Sequence, residues 1–303
     1  MRGALFACLL MLAPTAAPAA PRSPVIVELY TAQGCASCTG AGEVMETLAA
    51  RRDVLPLTFS VDYWDYLGWT DTLARPEFVT RQKTYVTRFD LGEPYTPQAV
   101  VGGQGQTGAL EAERLESLIS RAAQAPAGPR ISLSTSRTSV ANGKAPKGGA
   151  EVWMVRYDPK PRSVQVRRGD NRGQTVVAVN AVRELRRLGS WRGRGLTWRL
   201  PEATEPGLVT VVIVQAPRGG RILALASSPA WSLCLGRPGL SMTVMYAGSV
   251  LGPCPRGGGG GGCSGTRDAG PASRRVEDRQ PIGLARGRIK VISRRLPRAA
   301  TWS

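Results

Sequence analysis

The chain has 303 residues, of which 42% are hydrophobic and 20% charged, and 40 basic against 22 acidic side chains give it a formal net charge of +18. This composition excludes collagen-like and wholly disordered chains, and the length allows about two domains. The sequence contains no histidine, which excludes Ser-His-Asp and Cys-His hydrolases and every metal site that needs an imidazole ligand. Any chemistry must therefore use cysteine, carboxylate, tyrosine, lysine or arginine side chains.

The positive charge lies mainly in the second half of the chain. Residues 25–124 hold 13 acidic and 8 basic side chains, residues 125–230 hold 6 and 18, and residues 231–303 hold 3 and 12. Such a change of sign is typical of a domain boundary or a tail. A basic surface can bind nucleic acid or an anionic membrane, but no nucleic-acid-binding motif accompanies this one, so we predict no nucleic-acid partner.

The first twenty residues have the pattern of a secretory signal peptide. A positive start at Arg2 is followed by the apolar run Ala4–Ala13 and by small residues up to Ala20. We therefore predict that residues 1–20 are removed and that the protein is periplasmic or secreted, in an oxidising compartment where thiols pair. No later stretch reaches about 18 uninterrupted apolar residues, so we predict no stable membrane insertion.

Residues 25–124 are predicted to form an α/β domain. It begins with a buried strand at Val25–Tyr30, followed by an amphipathic helix from Cys38 to about Arg51 and a second strand at Leu55–Val61. This order favours a parallel, right-handed βαβ unit. The remaining predicted elements are a helix over Pro76–Phe89, a strand at Ala99–Val101, a helix over Leu110–Ala123 and a linker at Ala125–Pro129.

An aromatic cluster, Asp62–Trp69, follows the second predicted strand. Its side chains, with Trp64 and Tyr66 as candidates for substrate contact, either line a cleft beside the thiols described below or belong to the hydrophobic core. Aromatic residues are more often found in a core, and the sequence leaves both interpretations open.

Residues 130–226 are predicted to form a β-rich accessory domain of the sandwich type. Seven short strand-like runs alternate with turn signals, a spacing typical of all-β domains. Gly169–Gly173 is interpreted as a plain turn, and one helical patch is predicted at Val182–Leu188. From residue 227 to residue 303 the pattern collapses into a basic, glycine-rich, low-complexity tail, which we expect to be disordered and outside the folded unit.

Two cysteines, Cys35 and Cys38, lie between the first predicted strand and the first predicted helix. A helix N-terminus stabilises a thiolate, so we predict that Cys35 is the exposed attacking thiol and that Cys38, one turn into the helix, resolves the mixed disulfide. An inert structural disulfide is the alternative. We predict no metal site, because no second dithiol or histidine pair follows at ligand spacing.

Residues 25–124 resemble the thioredoxin superfamily in the order of strand, Cys-x-x-Cys helix, strand, Thr-Pro pair, strand and closing helix. The resemblance implies that Pro97 is a cis proline that faces the dithiol and helps, with Thr96, to hold a substrate. It also implies a buried carboxylate beneath the dithiol as proton acceptor, and Glu28 lies near that place. The alternative for Glu28 is a carboxylate that pairs with a basic neighbour.

Over residues 25–226 the sequence resembles more narrowly a branch of secreted bacterial thioredoxin-like proteins, catalogued as domain of unknown function 1223. The resemblance implies a fold and an exported location, and it supplies no established activity. Gly34 and the pair Ala36-Ser37 depart from ordinary thioredoxins, which leaves the direction of electron flow undetermined. The segments that carry the resemblance are Glu28–Cys35, Val61–Trp69, Tyr95–Gln98 and Arg168–Asn180.

These observations favour an exported thiol–disulfide oxidoreductase that acts on protein or small-molecule thiols and disulfides and needs no cofactor. The alternative is a non-enzymatic binding or scaffold protein with a structural Cys35–Cys38 disulfide. A copper chaperone is disfavoured by the absence of histidine and the scarcity of methionine near the dithiol.

Overall fold

The computed structural model describes residues 23–228, and both the predicted signal peptide and the predicted tail beyond residue 228 lie outside the described residues. The helices are α1 (Ala41–Ala49), α2 (Pro76–Arg88) and α3 (Ala112–Ala123). The strands are β1 (Val25–Thr31), β2 (Val54–Ser60), β3 (Gln98–Val101), β4 (Gly105–Gly108), β5 (Ile131–Leu133), β6 (Arg137–Val140), β7 (Ala150–Asp158), β8 (Arg162–Gln165), β9 (Thr175–Ala178), β10 (Ala181–Trp191), β11 (Leu196–Arg199), β12 (Val209–Gln215) and β13 (Ile222–Ser227).

One mixed sheet of eight strands organises the described chain, in the order β13-β12-β7-β10-β2-β1-β3-β4. The pair β1–β2 is parallel, whereas β1–β3, β3–β4 and β7 with both of its neighbours are antiparallel. Two smaller sheets, β11-β6-β5 and β8-β9, lie outside it. The protein therefore has an α/β fold, as predicted.

The β-rich segment does not build a separate sandwich, which corrects the predicted architecture. Its strands β7, β10, β12 and β13 extend the sheet begun by β1–β4. The physical reason lies in β2, which is buried along its whole length. Because buried backbone polar groups must find hydrogen-bond partners, groups on the second edge of β2 bond to Asn180, beside the start of β10.

The junction between the two halves of the sheet is short and made largely by one asparagine. Thr58 donates its backbone N–H to the carbonyl of Asn180 at 3.1 Å and its hydroxyl to the carbonyl of Val179 at 2.6 Å. The amide of Asn180 donates to the carbonyl of Pro56 at 2.9 Å. Because a proline has no N–H to offer a neighbouring strand, β10 pairs with β2 only at Ala181 and Thr58.

Strand β10 occupies the place of the predicted helical patch, and that prediction is wrong. The register of β10 against β7 shifts between Val182 and Glu184 and again between Arg187 and Gly189. Each irregularity interrupts the alternation of inward and outward side chains that identifies a strand in a sequence.

The helices cover both faces of the sheet around β1. On one face Phe78 and Tyr85 of α2 pack against Tyr30 and Phe59, with ring centroids 5.3 Å apart for Phe59 and Phe78. On the other face α1 and α3 pack against Leu29 and its neighbours. Within residues 23–228, no helix has the length and apolar character needed to cross a membrane.

A buried ion pair ties β1 to α2 and β12. The carboxylate of Glu28 accepts hydrogen bonds from Arg81 at 2.7 and 2.8 Å, from the Tyr30 hydroxyl at 2.9 Å and from the Tyr85 hydroxyl at 2.8 Å. Arg81 also donates to Gln215 at 3.1 Å. Burial raises the pKa of both tyrosines, so their hydroxyl groups stay protonated as donors. Four donors to one carboxylate compensate for its removal from water.

We predict that Arg81→Met lowers the free energy of unfolding by about 3–5 kcal/mol, because it leaves the Glu28 carboxylate buried without its counter-charge. Adding Glu28→Gln should recover part of the loss. The control is Arg51→Met, which removes an exposed ion pair with Asp53 and Glu116 and should cost about 1 kcal/mol or less. Urea unfolding measures all three variants, and a similar small loss for Arg81→Met would contradict a structural role for the buried pair.

Candidate active site at the Cys35–Cys38 disulfide

Cys35 and Cys38 form a disulfide in a tight turn ahead of α1. Their Cα atoms are 5.3 Å apart, and Ala36–Cys38 is a single turn of 3-10 helix. Gly40 then takes a left-handed conformation with a φ of 90°, and α1 begins at Ala41. The predicted helix start at Cys38 is therefore wrong, because the left-handed glycine, a conformation that other residues rarely adopt, separates the disulfide from the helix.

Both cysteines are buried, whereas the sequence predicted an exposed sulfur at Cys35. Cys35 is 1% exposed and Cys38 is 5% exposed. Side chains from loops far apart in the sequence contact the turn that holds them, and these contacts account for the burial. Access of a partner to Cys35 therefore requires part of this cover to move.

A hydroxyl group is directed at the sulfur of Cys35. Thr96 and Pro97 are joined by a cis peptide bond, and Thr96 Oγ1 donates a hydrogen bond to Cys35 Sγ at 3.1 Å. Trp64 Nε1 donates to the same Thr96 oxygen at 2.8 Å. Because an indole N–H can only donate, the threonine oxygen is the acceptor there and its own hydrogen is left for the sulfur. Pro97, Thr96 and Trp64 are thus brought together with Cys35.

Gln33 fixes the backbone just before the disulfide. Its N–H donates to Asp71 Oδ2 at 2.7 Å, its side-chain amide donates to Thr72 Oγ1 at 3.0 Å, and its side-chain oxygen accepts from Trp69 Nε1 at 2.9 Å. Gln33 is itself buried. The aromatic cluster Asp62–Trp69 and the residues after it are therefore attached to the loop that carries Cys35.

Asn171 is a site residue that the sequence analysis missed. Its buried amide donates to the carbonyl of Gln33 and to the carbonyl of Cys35, both at 2.8 Å. Gly169 and Gly173 have φ angles of 77° and 83°, so the segment is the turn that the sequence predicted. The glycines signalled the turn. Nothing in the sequence indicated that the turn contacts Gln33 and Cys35, which lie 138 and 136 positions before Asn171 in the chain.

The aromatic cluster lies partly in the core and partly on the surface. Substrate contact by Trp64 and Tyr66 stays a prediction. Tyr63 and Trp64 pack against the core that includes Cys35. Tyr66 is 76% exposed, and its ring stacks on that of Trp64 with centroids 6.2 Å apart. Trp64 therefore joins the core to the surface beside the disulfide, and Tyr66 lies on that surface.

Glu28 is not brought to the disulfide by any hydrogen bond among residues 23–228. Its bonds all go to Arg81, Tyr30 and Tyr85. The pairing with a basic neighbour, which the sequence analysis gave as the alternative, is the arrangement in the structure.

A cavity of about 20 Å³ lies beside Cys38, lined in part by Thr58 and Gly42, which is room for about one water molecule. Among residues 23–228 no group of three or more cysteine, aspartate or glutamate side chains could hold a metal ion.

Comparisons with known proteins identify a family and a related structure. Residues 26–215 match the family described as "Protein of unknown function (DUF1223)". A crystal structure of an Agrobacterium tumefaciens protein is 26% identical, with a TM-score of 0.54, over 69% of this chain and 95% of that one. HBP35 of Porphyromonas gingivalis is 13% identical, with a TM-score of 0.47, over 75% of this chain and 80% of its own. No curated protein matches the chain.

We predict opposite pH dependences for two aspartates. Burial raises the pKa of Asp71 in the folded protein. The stability that Asp71 contributes is therefore fully present below the pKa of an aspartate in the unfolded chain, about 3.9, and it is lost as pH rises through the pKa of Asp71 in the folded protein. The difference in the free energy of unfolding between wild type and Asp71→Asn should therefore fall from about pH 3 to about pH 6.

Asp53→Asn is the matched control, because a hydrogen bond from Arg51 lowers the pKa of Asp53. The stability that Asp53 contributes is present above its unfolded pKa and lost as pH falls. The difference for this variant should therefore rise over the same pH range. Denaturant unfolding at each pH measures both slopes, and slopes of the same sign would refute the assignment for Asp71.

Proposed function

The chain belongs to the DUF1223 family of proteins of unknown function, and we propose that it is an exported thiol–disulfide oxidoreductase of the thioredoxin-like type. In this proposal Cys35 and Cys38 alternate between a disulfide and a dithiol and exchange with thiols or disulfides of proteins or small molecules. The Cys-x-x-Cys turn between β1 and α1, and the neighbouring cis Thr96–Pro97 pair, support the thioredoxin-like assignment. The signal-peptide pattern of residues 1–20 supports export.

The observation that carries the proposal is the hydrogen bond from Thr96 to Cys35 Sγ. Within the described residues Cys38 Sγ receives no such bond, so the two sulfurs differ. A donor to sulfur stabilises the thiolate, and the thiolate is the form that attacks disulfides. This asymmetry supports Cys35 as the attacking group, and it takes the place of the predicted helix N-terminus, which begins too late in the chain.

The reaction follows thiol–disulfide exchange. The Cys35 thiolate attacks one sulfur of a partner disulfide, a mixed disulfide forms, and the first partner thiolate leaves. Cys38, once deprotonated, attacks the Cys35 sulfur, which releases the second partner thiolate and reforms the Cys35–Cys38 bond. The protein dithiol loses two electrons and the partner disulfide gains them, and the same steps in reverse oxidise a partner dithiol.

A scaffold protein with a structural disulfide is the second candidate, and the burial of both cysteines favours it. A disulfide that only crosslinks its turn does not need to be accessible to a partner, and it does not need a hydrogen-bond donor at one of its sulfurs. The two candidates differ in the reactivity of Cys35 once the disulfide is reduced.

We expect reduced protein to react with iodoacetamide at Cys35 at about pH 6, where an ordinary thiol with a pKa of about 8.5 is almost wholly protonated. Cys8, Cys234, Cys254 and Cys263 are changed to Ser so that only Cys35 and Cys38 can react. Peptide mapping identifies the alkylated residue. Reaction no faster than that of an ordinary thiol would favour the scaffold.

The same background allows mixed disulfides to be trapped in an exporting host. Cys38→Ser should accumulate adducts that disappear on reduction, because the thiol that releases the partner is gone. Cys35→Ser should accumulate almost none. Equal adducts from both variants would contradict the assignment of attacking and resolving roles.

Removal of the Thr96 hydroxyl, which donates to the Cys35 sulfur, should raise the pKa of the Cys35 thiol. A hydrogen bond to a charged group contributes about 1.5–3 kcal/mol, so Thr96→Val should raise the pKa of the Cys35 thiol by about one to two. Trp64→Phe should raise it less, because the hydroxyl remains but loses the partner that orients it. Thr96→Ser is the matched control and should leave the pKa near that of wild type. The pH dependence of iodoacetamide alkylation measures each value.

A further inference from the structure

Three arginines lie close in sequence to Asn171, whose amide binds the carbonyl of Cys35. Arg167, Arg168 and Arg172, here called the arginine loop, lie between β8 and β9 on either side of Asn171. All three are exposed, and within residues 23–228 none of them makes an ion pair or a side-chain hydrogen bond. The charge of Asp170 in the same loop offsets only one of them.

Backbone hydrogen bonds within the arginine loop hold its shape, and Asn171 attaches the loop to the turn that contains the disulfide. Val166 N–H donates to Gln174 at 2.9 Å and Gly173 N–H donates to Val166 at 2.8 Å. Asn171 attaches the loop to the carbonyl of Cys35. Positive charge is therefore held beside the buried disulfide.

Exposed apolar side chains lie beside the disulfide as well. The large hydrophobic residues that are exposed in the described chain are Tyr66, Leu110 and Leu196. Tyr66 stacks on Trp64, whose indole N–H binds Thr96. Leu110, half exposed, has a methyl group 3.8 Å from where a Cβ on Gly40 would lie. Two of the three are therefore at the site.

We propose that the arginine loop, Tyr66 and Leu110 form a docking face for a polypeptide whose reactive cysteine is flanked by acidic side chains. Carboxylates beside that cysteine pair with the unpartnered guanidinium groups, and apolar side chains of the same segment cover Tyr66 and Leu110. A polypeptide suits this face better than a small thiol, because charge and apolar surface lie on different elements around the disulfide. This inference rests on the proposed function, since it names the substrate class of the same site.

The test uses reduced full-length protein in which cysteines other than Cys35 and Cys38 are changed to Ser. The probes are disulfide-linked pairs of one short peptide, with Asp, Asn or Lys on both sides of the cysteine. Each probe oxidises the protein dithiol to the Cys35–Cys38 disulfide and is reduced to two thiol peptides. Rates with dithiothreitol correct for the intrinsic reactivity of each probe.

We expect the Asp probe to react about tenfold faster than the Lys probe at low salt, with the Asn probe between them. At about 0.5 M salt the difference should shrink to about twofold, because exposed charges are screened. Changing Arg167, Arg168 and Arg172 to Gln should remove the preference, so that the three probes react at similar corrected rates.

Arg192, Arg194 and Arg199, also exposed, are changed to Gln as the matched control and should leave the preference intact. Equal corrected rates for the three peptides, or a preference that survives in the arginine-loop variant, would overturn the docking face and leave the oxidoreductase standing. A higher corrected rate with glutathione disulfide than with the Asp probe would overturn the proposal that the substrate is a polypeptide. Reduction of no probe would overturn the oxidoreductase itself and the docking face with it.

Discussion

The short junction between Asn180 and β2 decides where the rest of the site lies. Thr58 and Pro56 of β2 bind Asn180 and its neighbour, and β9 ends two residues before that asparagine. Because this end of the β8–β9 hairpin is fixed on the central sheet, its other end reaches the turn that contains the disulfide. The contact of Asn171 with Cys35 is thus a consequence of how two halves of one sheet are joined.

Among residues 23–228, the buried Glu28–Arg81 ion pair makes no hydrogen bond to Cys35 or Cys38. Glu28 and Arg81 neutralise each other beneath α2, where they join β1, α2 and β12. The side chains that make hydrogen-bond contacts with Cys35 are neutral: the hydroxyls of Thr96 and Ser37, 3.1 and 3.3 Å from its sulfur, and the amide of Asn171. A site of this kind adjusts the properties of sulfur through dipoles and hydrogen bonds, which cost less to bury than an unpaired carboxylate.

Local patterns in the sequence predicted the α/β class and the turn between β1 and α1 that holds the cysteines, and the resemblance to a known family implied the cis peptide bond between Thr96 and Pro97. They failed where contacts distant in sequence decide the outcome. Strand β10 has two irregularities that hide its alternation. The two halves of the shared sheet meet in a short contact around Asn180, and the role of Asn171 depends on a contact spanning 136 residues. Gly40 was a readable signal for a late helix start, since glycine is the residue that permits a left-handed break.

The long reach of Asn171 also has a consequence for the order of biosynthesis. Chains are made from the N-terminus at about 5–20 residues per second, so roughly 7 to 27 seconds pass between the synthesis of Cys35 and that of Asn171, 136 residues later. During that interval the cysteines exist without the amide that later attaches to their turn. The hydrogen bond from Asn171 to the Cys35 carbonyl therefore forms only after the residues of β1 to β8 have all been made.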